Sequence, residues 1–452
     1  MATAKASPRK RFFIEMFTRD ISLSDSILDL IDNSIDSLIR IRRIDLGKTL
    51  LESRDTSTTV PTKLPQIHLD VTRNKVSIRD NCGGLGYSAA RDEAFNFGHA
   101  YGYEDPDSQL GVYGIGLKRA IFKMGDKFMM ESHSLKDGFS IGMNSLKEWV
   151  QKDTELEDWT FPIRKLDKAK NQTSAGTKLV VSELHKEVQS EIEEPTFENR
   201  LRPEIAIAYS LFLNRYASVF LNGKVVNPIT IPFGKSEGIE PGYKILQEDG
   251  VNVHIYAAVA ERTSWEKEIS GWYVACNGRL VVFANKDELT GWGTALFPEW
   301  HTKYRGFVGF TLFQSSDPYR LPWTTTKRGL NRESAVYQKA RLEMQMAARP
   351  VLRFFNNMYP SEPAEQNYER KLADSTRLAD ISEITSAGER EFMVAPKPRS
   401  RKPDQVSIQY KVTRSDIEKI QKNLADPSLT AKEIGIRSFD AFLKLTSENS
   451  SE

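Results

Sequence analysis

The stretch SILDLIDNSIDSLIR, residues 26–40, constrains this chain more than any composition figure. On a helical wheel Ile27, Leu28, Ile31, Ile35, Leu38 and Ile39 make one apolar face, which has to be buried against a core. Asp29, Asn33, Asp36 and Arg40 stack at helical spacing along another face. The plain reading of such a stripe is a solvated helix face. Two features argue against it: asparagine is a poor helix former placed mid-helix, and the Lys and Glu mixture of exposed faces is missing. The chemical reading is one wall of a nucleotide site. The neutral oxygen of Asn33 can ligate Mg²⁺ without adding charge, which suits a cation already neutralised by phosphates. A carboxylate one turn earlier, Asp29, can hold and polarise a water beside the same phosphates.

Composition narrows the setting. With 452 residues, 39% of them hydrophobic, the chain is long enough for two or three cored domains. A net charge of +2 requires no polyanionic partner. Two cysteines far apart in sequence make no disulfide framework, and six scattered histidines lack zinc-ligand spacing. No apolar run reaches the length of a signal or membrane span. A cytoplasmic protein with no membrane contact is the expectation.

Along the chain, PQIHLDVTRNKVSIRDNCGG reads as a hairpin, and a helix is expected from about Ser88 to Asn96. The polar stretch GHAYGYEDPDSQLGVYGIG suits a mobile loop, and KRAIFKMG restarts a helix. Strand patterns KFMMESH, GFSIGM and TKLVVSEL follow. Past residue 200 a helical LRPEIAIAYSLFLNRY precedes SVFLNGKVVNP, NVHIYAAVA, GWYVACNGRLVVF and GFVGFTLF, which read as strands of a second α/β domain. The polar stretch to about 408 reads as a linker, and the last residues as a small helical tail.

Three further elements carry chemistry. In RDNCGGLG, Asp80 ends a strand at a glycine turn: it either closes an Asx-turn or accepts a hydrogen bond from the exocyclic amine of adenine, with Gly83 and Gly84 letting backbone approach a flat ligand. In GVYGIGLKRA, Gly111, Gly114 and Gly116 precede a helix, whose freed amides and dipole make an anion site to which Lys118 can add a point charge. In SAGTKLVV, Thr177 enters a strand and matters only in company with the others. Neither a Rossmann fingerprint nor a P-loop ending is present.

In this order the four elements resemble the ATP site of the GHKL superfamily: gyrase-type topoisomerases, large heat-shock chaperones, histidine kinases, MutL and MORC proteins. DLIDNSIDS is similar to that family's E-L-I-D-N-S-x-D-A helix, DNCGGL to D-x-G-x-G, GVYGIGLKRA to its second glycine box, and AGT to its closing threonine motif. The resemblance implies an α+β fold: a GHKL (Bergerat) α/β sandwich over 26–200 behind a strap at 1–25, a transducer-like α/β domain over 201–355, a linker over 356–408 and a helical tail over 409–452. It implies ATP and Mg²⁺ as ligands. Asn33 would hold the metal, and Asp80 the adenine amino group, with Thr177 assisting through water. Gly114, Ile115, Gly116 and Leu117 would offer amides to the phosphates, and 98–113 would form the ATP lid. Asp36 would face nucleotide or tie down the glycine loop. LPWTTTKRGLN resembles the transducer loop whose lysine touches the terminal phosphate, a role that falls on Lys327. The catalytic glutamate of hydrolysing members falls on Asp29, one methylene shorter, and the first glycine of D-x-G-x-G falls on Cys82.

The pattern is similar to bacterial MORC-like or chaperone-like stand-alone members. It implies an ATPase that closes its lid and dimerises as a conformational switch, with RKRFFIEMFTRDI as an exchanged N-terminal strap. The alternative is an ATP-gated binding or signalling module with negligible hydrolysis, in a DNA-handling or phage-defence assembly. PKPRSRKP and the tail would then touch DNA or a protein partner, although such basic runs are also ordinary solvated linkers.

Overall fold

A computed structural model describes residues 9–44, 51, 64–97, 110, 114–152, 159–359, 367–397 and 408–448. The chain divides into two compact units, Met1–Ala395 and Pro396–Glu452.

The first unit opens with α1 (Lys10–Arg19) and α2 (Leu23–Arg42). α2 starts at a capping box: the Ser22 hydroxyl accepts from the Asp25 amide at 3.0 Å, and Asp25 Oδ2 accepts from the Ser22 amide at 2.9 Å. It stops where Arg43 turns left-handed at φ 49°. The expected hairpin is β1 (Gln66–Thr72) and β2 (Lys75–Asp80), which bury Ile67, Leu69, Val71, Val76 and Ile78 on one face. After it come α3 (Gly116–Met124), β3 (Gly125–His133), β4 (Gly138–Met143), α4 (Leu146–Gln151), β5 (Ile163–Leu166) and β6 (Gly176–Leu184). The helix expected at 88–96 is shorter and irregular: one turn at Tyr87–Ala89 widens into a π-helical turn at Ala90–Ala94.

Helices α5 (Lys186–Glu193) and α6 (Phe197–Ala208) lead to β7 (Ser218–Leu221) and β8 (Lys224–Val226). The sequence pattern assigned SVFLNGKVVNP to the second domain, but both strands complete the first sheet, whose order is β5-β4-β3-β6-β2-β1-β7-β8. β7 runs parallel to β1, pairing Gln66 with Ser218 through Leu69 with Leu221; every other neighbouring pair is antiparallel. α2 packs along α3 and against β2, and α3 reaches β3 and β6. α1 lies on α3 and α4 of its own chain, where Phe13 and Phe17 meet Phe97, Phe122 and Trp159 edge-on. Lys10 is fully buried there over the Trp149 ring, 4.0 Å from its centroid.

A second sheet follows the short β9 (Gly234–Lys235) and β10 (Ile239–Glu240). It is built from β11 (Gly242–Glu248), β12 (Val251–Val259), β13 (Gly271–Cys276), β14 (Arg279–Asn285) and β15 (Phe307–Gln314), in the order β11-β12-β15-β13-β14. The long α7 (Ala335–Met358) packs on β11, β12 and β15. The stretch expected as a linker is structured in part. α8 (Tyr368–Asp374), β16 (Arg377–Leu378), α9 (Ile381–Ser386) and β17 (Met393–Val394) belong to the first unit, because β16 pairs with β9 and β17 with β10. Residues 360–366 and 398–407 lie outside the described residues.

In the second unit, α10 (Arg414–Asn423) and α11 (Ala431–Glu448) match the helical tail read from the sequence. Thr430 and Glu433 form a capping box at the start of α11.

Candidate nucleotide site

Burial removes the solvated-face reading of α2. From Ile27 to Ile39 every residue is buried except Asn33, which is exposed into a cavity of about 970 Å³. That volume lies in the range of small-molecule and cofactor sites. Asp29, Asp36, Asp80, Gly84, Gly114, Ile115, Gly116, Leu117, Lys118, Thr177 and Lys327 all line it. Gly111 and the expected lid at 98–113 lie outside the described residues, apart from Leu110.

The cavity has an apolar floor and polar ends. Ile78, Met130 and Leu179 come from the first sheet, a surface suited to the face of a heterocycle. At its edge Asp80 takes three bonds: Ser34 Oγ donates to Oδ2 at 2.8 Å, and the Cys82 and Thr177 amides donate to Oδ1 at 2.9 and 3.3 Å. Burial raises its pKa, partly opposed by those bonds. The Thr177 hydroxyl bonds Ser132 Oγ at 2.9 Å. Gly84 sits at φ +67°, and a Cβ there would stand 2.3 Å from the His133 carbonyl oxygen, so only glycine fits.

At the other end α3 begins at Gly116 with no side-chain cap, so its first amides face the cavity without intrahelical partners. Asp36 ties down the approach to this helix: its Oδ1 accepts from the Leu110 amide at 2.8 Å. Lys118 is turned away from the expected role. Its amine donates to the carbonyls of Ala94, at 2.9 Å, of Asn96, at 2.6 Å, and of Gly114, while burial pushes its pKa down to about 7.

Two residues absent from the sequence reading organise the charges. Arg119 donates to Asp29 Oδ2 through Nη2 at 2.6 Å and Nε at 3.2 Å, with both side chains buried. Asp32, only 1% exposed, accepts from Lys327 Nζ at 2.7 Å, from Tyr209 Oη at 2.7 Å and from Arg279 Nη1. Burial, reinforced by the Asp32 charge, pushes the Tyr209 hydroxyl well up, so it stays a donor. Lys327 itself holds a left-handed φ of 54°, uncommon for a residue with a side chain. Its neighbour Arg328 pairs with Asp25, at the start of α2, and with Glu204. A sequence signal for Asp32 existed, since it lies within the same polar run, but its partners are 177 to 295 residues away.

The donor set suits a magnesium nucleotide. Asn33 offers the cavity a neutral amide oxygen, a ligand of the kind that an ion held chiefly by phosphates and water can take.

A glycine-lined cavity, an uncapped helix start and a buried carboxylate at the cavity's edge are an arrangement suited to a nucleotide. Residues 21–177 match the family of histidine kinase-, DNA gyrase B-, and HSP90-like ATPases, so the chain carries a GHKL-type ATPase domain. No curated protein matches the chain. No described helix is long and apolar enough to cross a membrane.

Proposed function

We propose that this protein is a Mg²⁺-dependent ATPase whose nucleotide state drives a conformational switch. The observation that carries the reading is the exposure of Asn33 alone between Ile27 and Ile39, into a cavity also lined by Asp29, Asp80 and Lys327. Asn33 would hold Mg²⁺, which supplies charge neutralisation at the phosphates when bound. Asp80, with Thr177 beside it, would accept from the adenine amine. The amides of Gly114, Ile115, Gly116 and Leu117 would receive the phosphates. Asp29 would orient and deprotonate the attacking water. Its side chain is a methylene shorter than the family's glutamate, and misplacement by about 1 Å can cost roughly 10²-fold, so turnover would be slow.

Lys327 would leave Asp32 for the terminal phosphate and draw its loop with it, closing the lid and pairing two protomers. The LPWTTTKRGLN loop favours a relative among stand-alone MORC-like or chaperone-like proteins. The second reading, an ATP-gated module with negligible hydrolysis, is favoured by the ion pair that occupies Asp29.

Steady-state ATP turnover with Mg²⁺, in the native protein and in Asp29→Asn, Asn33→Ala and Lys327→Ala, tests the choice. Loss of turnover with retained binding in Asp29→Asn supports the enzyme. Background turnover in the native protein, with ATP-driven dimerisation, supports the gated module. Absence of ATP binding removes the site assignment.

A further inference from the structure

An ATP site must accept a polyanion, yet α2 brings a buried carboxylate to the place where the phosphates would lie. A Cβ on Gly116 would stand 3.3 Å from the Asp29 carboxyl carbon, so Asp29 lies against the first residue of α3, beside the uncapped amides. Left alone, a buried anion there would repel the terminal phosphate. One turn further along the same helix Arg119 meets it, and both bonds fall on a single carboxylate oxygen, Oδ2. Asp29 Oδ1 has no bond to any described residue. The two side chains are 6% and 3% exposed, so solvent does little to screen the pair.

We propose that Arg119 is the counter-charge of Asp29: it cancels the carboxylate beneath the anion site and fixes its rotamer, leaving Oδ1 to face water or phosphate. Arg119 is therefore a positioning residue that acts through Asp29. The inference rests on the reading of the cavity as an ATP site. It also supplies a reason for the pairing on one helix: the turn that offers amides to the phosphates carries the cation that permits a carboxylate beside them.

Of the other cations lining the cavity, which include Arg40, Arg43 and Lys136, two are already engaged. Lys327 is committed to Asp32, and Lys118 to three backbone carbonyls. Two unit charges about 6 Å apart in a partly buried site interact strongly enough to change affinity by about 10- to 100-fold. The sign of each charge change is therefore readable in binding alone, without turnover.

The experiment is a titration of the intact chain with adenylyl imidodiphosphate and Mg²⁺, and separately with ADP and Mg²⁺. Native protein is compared with Arg119→Gln, Arg119→Lys, Asp29→Asn and the double variant Asp29→Asn/Arg119→Gln. The expected pattern has four parts. Arg119→Gln weakens the triphosphate analogue about 10-fold or more and ADP less. Arg119→Lys stays within about 3-fold of native, because it keeps the charge. Asp29→Asn, which keeps an unopposed guanidinium, binds the analogue more tightly than native protein. The double variant recovers most of the loss.

A purely structural role for Arg119 would not be repaired by removing a second charge. Unchanged binding in Arg119→Gln, or weakening that the double variant fails to recover, overturns the proposal while leaving the ATP site intact. If Arg119→Gln does not fold, weaker binding by Asp29→Asn overturns it alone. Failure of native protein to bind the analogue overturns the site reading itself, and this inference with it.

Discussion

Lys327 Nζ donates to Asp32 Oδ2 at 2.7 Å, joining residues 295 positions apart and tying the loop after β15 to α2. The carboxylate also takes Arg279 and Tyr209, so four side chains from four parts of the chain meet at one buried group. Asn33, the next residue along α2, faces the nucleotide cavity instead. Two neighbouring side chains thus face different masters, and any travel of Lys327 toward a phosphate has to begin by leaving Asp32.

Asp32→Asn is expected to leave Lys327 and Arg279 as buried cations without a counter-charge, costing about 3–5 kcal/mol of stability. Lys327→Met should cost clearly less, because Arg279 and Tyr209 still satisfy the carboxylate. Denaturant unfolding of the two variants checks the order; equal losses would mean that Asp32 is not the hub.

The affinity for adenine nucleotides should depend on the protonation of Asp80. Burial raises its pKa above the ordinary aspartate value, and only the ionised form is a full acceptor for the amine. Affinity is therefore expected to fall as pH drops through a window above about 3.9, with Asp80→Asn flat over the same window. The sign for folding is opposite: the folded chain holds this proton more readily than the unfolded chain, so on this group alone acidification through the window favours folding. Calorimetric titration in two buffers of different ionisation enthalpy reads the proton released on binding. Identical heats in both buffers, after correction for the buffer alone, would disconnect Asp80 from adenine.

Gly84→Ala should be disruptive out of proportion to its size. The new methyl would meet the His133 carbonyl oxygen at 2.3 Å, in a backbone conformation of φ +67°. A loss of about 1–3 kcal/mol is expected, with weakened nucleotide binding. Gly223→Ala, where no atom lies within 4 Å, provides the control with the strained φ but an open surround. Thermal unfolding of both separates crowding from backbone strain.

The local elements were legible in the sequence. The polar run of α2, the β1–β2 hairpin and the glycines before α3 all write their structure in neighbouring residues. The same local pattern singled out Asn33 and Asp80, and the fold brings both to one cavity. Arg119 and Asp32 were not, because each gains its role from a partner brought in by tertiary packing: Asp29 is 90 residues from Arg119, and Arg279 is 247 from Asp32. Lys118 illustrates the reverse error. Residue type suggested a phosphate ligand, but its amine is held by three backbone carbonyls. Sheet membership failed for a similar reason, since a short hairpin such as β7–β8 carries no local mark of which sheet it will join.

That membership has a practical meaning for anyone cutting the chain. A fragment ending at residue 200, where the sequence changes character, would lack β7 and β8 and leave the Gln66–Leu69 backbone of β1 bare. An open edge of that kind invites a second molecule to supply the missing strand, with aggregation as the outcome. Synthesis meets the same condition, since a nascent chain must emerge as far as Val226 before the nucleotide-binding sheet acquires its last strand.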